Sequence, residues 1–282
     1  MTRQHMAFLS FLLMAAVLMS VPTLQAAEPQ DRDRKIVDIP DSWTRAEVAT
    51  FLKNSKAQVE LADASIIIEV NSTDGDAGFQ IFVDGDGWKN VRVFDSNGYR
   101  ILTAGVTGGV RHIGGGTELF LESSEPEYED LEGMQELVEL LPEGEYFFVS
   151  RTTDNNWATA TAELTHDVPA GPEVANPPVL EDGCSEVDAA APLVIEWDPV
   201  ETDISGEGEV EIEAYQVIVE SETEDGPEVA FSVTLPPSED DMNMVTVPAE
   251  ALFAGVEYTF EILAIEESGN QTITESCFET AE

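Results

Sequence analysis

The residues in this chain with chemistry to offer are two cysteines, two clusters of closely spaced aspartates and one glycine-rich stretch beside a basic pair. Cys184 and Cys277 are its only cysteines. In an exported chain an even pair points to one disulfide, the alternative being two buried free thiols. Neither has a Lys, Arg or His beside it in sequence to lower its pKa, so a thiolate nucleophile is not expected. Asp74, Asp76, Asp84 and Asp86 are the candidate metal ligands, with Asn71 just upstream, because oxygen ligands at alternate positions suit Ca²⁺. An EF-hand loop starting at Asp74 requires glutamate at its twelfth position, where Gly85 stands, so this is no EF-hand. Asp-Gly pairs at hairpin turns arise equally without a metal, and both readings stand.

Catalytic signatures are missing. Beyond the N-terminal leader the only histidines are His112 and His166, and neither His-Glu-x-x-His nor Gly-x-Ser-x-Gly occurs. Gly108–Gly116 lacks the Lys-Ser/Thr of a phosphate loop and reads as a flexible loop, with Arg111-His112 its one basic spot. No catalytic residue and no cofactor-binding residue is assigned. A carboxylate pair for glycoside hydrolysis is not locatable among 57 acids.

Those 57 Asp and Glu face 12 Lys and Arg, a formal net charge of −45. No basic patch for nucleic acid or acidic lipid is available to such a chain. With 43% hydrophobic residues the 282-residue chain still has ample material for one large or two ordinary domains.

Residues 1–26 read as an export signal: Arg3, then the apolar run Met6–Val21, then Leu24-Gln25-Ala26 before cleavage at Ala27. The run is shorter than the ~20 residues that span a bilayer. No second such run follows, so no membrane insertion is expected after cleavage, and the chain is placed as secreted or periplasmic. Cleavage leaves 11 bases against 57 acids, and from Glu173 to Glu282 there are 29 acids and no Lys or Arg. Either a saline habitat or specific metal binding accounts for that acidity.

The elements follow from periodicity and turn residues. A polar lead-in with a short helix occupies 27–58, where Thr44 and Glu47 have capping-box spacing. From 59 to 167, β-rich runs Ser65–Val70, Phe79–Val83, Trp88–Phe94, Tyr99–Leu102, Glu118–Glu122, Glu145–Thr152 and Trp157–Thr165 alternate with turns, including Asp84–Gly87 and Ser96–Gly98. Leucine and methionine spacing predicts an inserted helix over 129–141. This pattern predicts an immunoglobulin-like β-sandwich, in which Trp88, Trp157, Tyr99 and Phe79 serve either as core or as a ligand face. The Pro-rich stretch 168–178 reads as a stiff linker.

Residues 179–282 carry a second set of strands. Ile195-Glu196-Trp197 resembles the early core strand of a fibronectin type III domain. Leu252-Phe-Ala-Gly-Val-Glu-Tyr258-Thr-Phe resembles that family's L-x-P-G-x-x-Y-x-F signature, with Ala254 in place of Pro. The resemblance implies a sandwich with Trp197, Leu252 and Tyr258 in the core and the Tyr258 hydroxyl capping upstream backbone. It also implies that the strands flanking Cys184 and Cys277 lie close.

The expected fold class is all-β, two tandem sandwiches. The expected function is non-enzymatic binding or structure at the cell envelope, with an extracellular or envelope protein or glycan as partner. The alternative is an accessory module of a glycoside-active hydrolase, or such an enzyme itself. Screening salt should stabilise the protein, since 46 excess negative charges repel one another more in the compact state. Melting temperatures from low millimolar to molar NaCl should rise, with CaCl₂ of equal ionic strength giving a similar rise. A flat response contradicts the repulsion, and a response to sub-millimolar calcium alone would indicate a metal site.

Overall fold

Thr44 starts the first helix by the reciprocal capping its spacing predicts. Its backbone N–H donates to Glu47 Oε2 at 2.8 Å, and its hydroxyl lies 3.4 Å from the Glu47 N–H. The helix, α1 (Arg45–Lys53), buries Val48 and Leu52 and sets Phe51 edge-on against Trp157, centroids 5.6 Å apart. The computed structural model describes residues 42–53, 58–180, 183–221, 229–238 and 242–281. The segment read from sequence as an export signal, 1–26, and most of the lead-in lie outside these residues.

Strands β1 (Gln58–Glu60), β2 (Asp63–Asn71), β3 (Asp76–Phe94), β4 (Arg100–Gly105), β5 (Gly116–Glu122), β6 (Gly144–Thr152) and β7 (Trp157–Leu164) form the first half, with helices α2 (Gly108–His112) and α3 (Leu131–Val138) between them. Strand β3 is 19 residues long and pairs with four other strands. Its first part pairs with β2 and β5, and its second part with β4 and β6. Alternate residues Ile66, Ile68 and Val70 of β2 meet Ile81, Val83, Val91, Val93, Tyr146 and Phe148 in one core.

The sequence predicts a hairpin turn at Asp84–Gly87, and here the structure differs. The chain runs straight through, with register shifts between Asp84 and Trp88. Its glycines serve close approach instead. A Cβ on Gly85 would lie 2.8 Å from Leu61 Cδ2, and one on Gly87 would lie 2.1 Å from the Gly114 carbonyl. Asp74-Gly75-Asp76 and Ser96-Asn97-Gly98 do turn, with Gly75 and Gly98 at φ +73° and +86°. The glycine-rich segment expected as a loop contains the short helix α2.

The second half comprises β8 (Val174–Asn176), β9 (Ser185–Val187), β10 (Leu193–Trp197), β11 (Ile212–Ser221), β12 (Val229–Leu235), β13 (Asn243–Val247), β14 (Glu257–Glu266) and β15 (Gln271–Thr280). A three-stranded sheet, β13-β10-β8, faces the succession β15-β14-β11-β12. Between them lie Ile195, Trp197, Tyr215, Val217, Tyr258, Phe260, Ile262 and Phe278. Each such large apolar side chain contributes roughly 1.5–3 kcal/mol by leaving water. The fold is therefore all-β, built of sandwiches.

Residues Pro40–Glu282 form one compact unit, and its two cores are joined by a ladder. Strand β2 pairs in parallel with β15, Glu69 opposite Gln271 and Asn71 opposite Ile273. Asn270, 1% exposed, completes the seam: Oδ1 accepts from Ile68 N at 2.9 Å, and Nδ2 donates to the carbonyls of Thr165 and Asp167 at 3.1 Å. The proline-rich stretch 168–178 does more than connect. Ala170 N donates to Thr202 O, the Thr272 hydroxyl donates to Pro169 O, and β8 pairs with β10.

Removing the Asn270 amide leaves several buried groups unpaired, each costing roughly 1–3 kcal/mol. Asn270→Ala is therefore expected to lower unfolding free energy by about 3 kcal/mol or more. Urea melts followed by tryptophan fluorescence should change from one transition to two as the cores uncouple. An unchanged midpoint would refute the seam's role.

Candidate functional site

The two predicted cysteines meet. Strand β9 runs parallel to the end of β15, Ser185 opposite Phe278, which carries Cys184 beside Cys277. They form a disulfide, with Cα atoms 5.0 Å apart and a sequence separation of 93.

The predicted signature residues also come together. Trp197 is fully buried and sits edge-on to Tyr215, centroids 5.3 Å apart. Tyr258 stacks on Phe278 while its hydroxyl accepts from Phe253 N at 2.7 Å, five residues upstream. Leu252 is buried against the same core. A matching corner stands in the first half, where the Tyr146 hydroxyl donates to Pro142 O at 2.9 Å. Burial pushes this phenol's pKa well up, and nearby Asp95 adds to it. Sequence reasoning missed this second corner, although Leu141-Pro-Glu-Gly-Glu-Tyr146 carries most of the same pattern one residue shorter.

The four candidate metal ligands are not brought together. Asp76 begins β3, Asp84 lies eight residues along the same extended strand, and so the two aspartate pairs are roughly 26 Å apart. Asp74 is exposed in the turn and Asp86 is exposed at the register shift. Of the four aromatic residues considered for a ligand face, Trp88 and Trp157 are each 3% exposed and Phe79 packs on the first core. Tyr99 alone of the four stands in solvent, at 70%. His166 is tied down, its ring Nε2 2.9 Å from Leu141 O and its backbone N–H on Glu143. His112 lies exposed on α2.

The carboxylates that do converge are Glu69, Glu122 and Glu125, whose oxygens lie within 4.8 Å of one another. They occupy the face of β5-β3-β2-β15 that points away from the cores. Gly78 makes room for them, since a Cβ there would lie 2.8 Å from Glu125 Cγ. Glu69 is 7% exposed, and burial together with the neighbouring charges of Glu122 and Glu125 pushes its pKa up to about 7. Glu125 is pushed up to about 7 by burial, Glu122 and Asp76. Across the seam Glu261 is pushed up to about 7 by burial and by Glu220, Glu275 and Glu69. Amide nitrogens, not carbonyls, point into the cluster: Gln271 donates to Glu69 Oε2 and Gln80 to Glu122 Oε1. Donors so placed favour the ionised form and offset part of the rise that burial imposes on Glu69.

No family model and no curated protein matches the chain. Solved structures to which it is similar include a tetra-tandem repeat in the extending region of a large adhesion protein (14% identity, covering 77% of this chain and 49% of that one, TM-score 0.27). Others are a structure described for host cell surface retention of a 1.5-MDa bacterial ice-binding adhesin (14% identity, 81% and 66%, TM-score 0.26) and chicken CNTN1 FN1–FN3 domains (12% identity, 79% and 65%, TM-score 0.29). The chain spans about half the length of the first of these.

Closing a 93-residue loop restricts the unfolded chain by roughly 4.5 kcal/mol in the loop-entropy account. Reduction should therefore destabilise the protein by a few kcal/mol in urea melts. Non-reducing peptide mass spectrometry should find Cys184 linked to Cys277; two thiols alkylated without reduction would contradict it.

Proposed function

We propose that this chain is an exported, non-enzymatic protein that binds or spaces partners at the cell envelope or outside it. The supporting observation is the use to which its reactive side chains are put. The cysteines close a disulfide, the tyrosines at 146 and 258 build sandwich corners, and Trp88, Trp157 and Trp197 fill cores. Each group is consumed by holding the scaffold. The chain's excess of carboxylate keeps such a protein soluble and apart from other acidic surfaces.

On this reading residues 1–26 are removed on export, 59–167 is an immunoglobulin-like module and 179–282 is fibronectin type III-like. The partner is an extracellular or envelope protein or a glycan. The test applies the purified chain from Ala27 onward to a glycan array and to envelope extracts, alongside a panel of chromogenic glycosides. Saturable binding without turnover supports the proposal. Sustained glycoside hydrolysis that is lost on substituting a carboxylate would replace it with the hydrolase alternative.

A further inference from the structure

Strand β5 has a neighbour on one side only. It pairs with β3, and no other strand of the described residues pairs with it. In an antiparallel ladder the backbone groups of successive residues turn alternately toward the partner and away from it. Ser123 N donates to Phe79 O at 2.9 Å, so the N–H and C=O groups of Leu121 and Leu119 turn to β3 as well. Those of Glu118, Phe120 and Glu122 turn the other way, to the free edge. The side chains of these three residues lie on the sheet face away from the core, since Leu119 and Leu121 pack inward.

Phe120 is 48% exposed and stands beside half-buried Phe82 of β3, with Ser65 next in the row on β2. This aromatic pair opens to solvent between two carboxylates, Glu118 and Glu122. Edge strands that repel pairing are commonly broken by a proline or a bulge. Here the register from Glu118 to Glu122 is unbroken and holds no proline. Glu122 also belongs to the carboxylate trio within 4.8 Å, and the groups acting on its partners Glu69 and Glu125 include no Lys or Arg.

We propose that the free edge of β5 is a strand-addition site for an extended protein segment with an aromatic or aliphatic residue opposite Phe120 and Lys or Arg opposite Glu118 and Glu122. The site deepens the binding role proposed above, and rests on it, by giving the partner as a basic β-strand. Main-chain hydrogen bonds to the three turned-out residues supply the pairing, while Phe120 and the two glutamates select the sequence. A second copy of this chain does not meet that selection. Two β5 strands laid antiparallel with Phe120 on Phe120 would set Glu118 against Glu122 twice, like charge opposite like.

The probe is the end-capped peptide Thr-Lys-Thr-Phe-Thr-Lys-Thr, titrated into the disulfide-bonded chain and followed by NMR amide exchange. With about nine-tenths of the chain bound, exchange at Glu118, Phe120 and Glu122 should slow about tenfold. Leu119 and Leu121, already turned to β3, should change little. Phe120→Ala should weaken binding about fivefold, and exchanging both peptide lysines for glutamate about tenfold. Glu118→Lys, at an exposed position, should narrow the difference between the lysine and glutamate peptides. Methylating the backbone nitrogen of the peptide's Phe should abolish binding, because the central donor to β5 is lost.

Exchange at the three residues unmoved by millimolar peptide would overturn the proposal. Equal affinity for the lysine and glutamate peptides, or full binding by the methylated one, would do the same. Protection of the same amides without peptide, rising with protein concentration, would give the edge to a second copy instead. Glycan binding found without strand binding would remove this site alone and leave the broader binding role standing.

Discussion

The side-chain amide of Asn270 holds this structure in its arrangement. It is 1% exposed, accepts from Ile68 N, and donates to Thr165 and Asp167, so it touches the first core's inner strand and the exit from that core at once. Local chemistry delivers it there. Glu266 folds the β14–β15 turn by accepting from the backbone N–H groups of Ser268 and Asn270. Gly269, at φ +97°, passes with no side chain, where a Cβ would come 3.1 Å from Ile67 Cγ2. Everything downstream inherits this placement: β15 takes its register on β2, Phe278 enters the second core, and Cys277 arrives beside Cys184.

An acidic chain must still decide which carboxylates to bury. Among the described residues three acidic side chains are buried: Glu69, Asp95 and Glu266. Two of them build turns. Glu266 does so at Asn270, and Asp95 accepts from Tyr99 N at 2.7 Å in the β3–β4 connection. Hydrogen bonds from backbone donors offset the loss of water for those two. Glu69 has instead an amide on one oxygen and carboxylates beyond, and burial pushes its pKa up to about 7.

Much of this was legible in the residues. The β-rich run Ser65–Val70 marked a strand, the Thr44–Glu47 spacing marked the start of α1, and Leu252 to Tyr258 marked the corner of the second sandwich. Each depends on neighbours within a few positions. Local reasoning failed at Asp84–Gly87, where the glycines are required by Leu61 and Gly114, distant in sequence, and not by a turn. It failed likewise for Glu69, whose partners come from β5 and the segment after it (Glu122, Glu125) and from β15 (Gln271), all distant in sequence. Among 57 acids no spacing singles these out. Three of the four aspartates that spacing did single out, Asp76, Asp84 and Asp86, lie along one strand, and an extended strand separates what sequence places close.

The two halves solve one problem with different means. Both use a tyrosine at the start of a core strand, Tyr146 on β6 and Tyr258 on β14, to fasten an incoming loop by its hydroxyl. The first half adds a helix over its outer face and has positive charge to draw on: every Lys and Arg of the chain lies at or before Arg151. Arg45 shows the use, holding the Glu145 carboxylate and carbonyl while its guanidinium covers Phe147. From Glu173 onward there are 29 acids and no such cation, so ion pairs with Lys or Arg of its own are unavailable to the second half. Repulsion among its surface charges favours expansion of that half in particular. A covalent tie acts against expansion without needing a positive charge. The disulfide stands in the half that has no Lys or Arg, tying the residue before β9 to the last strand, β15.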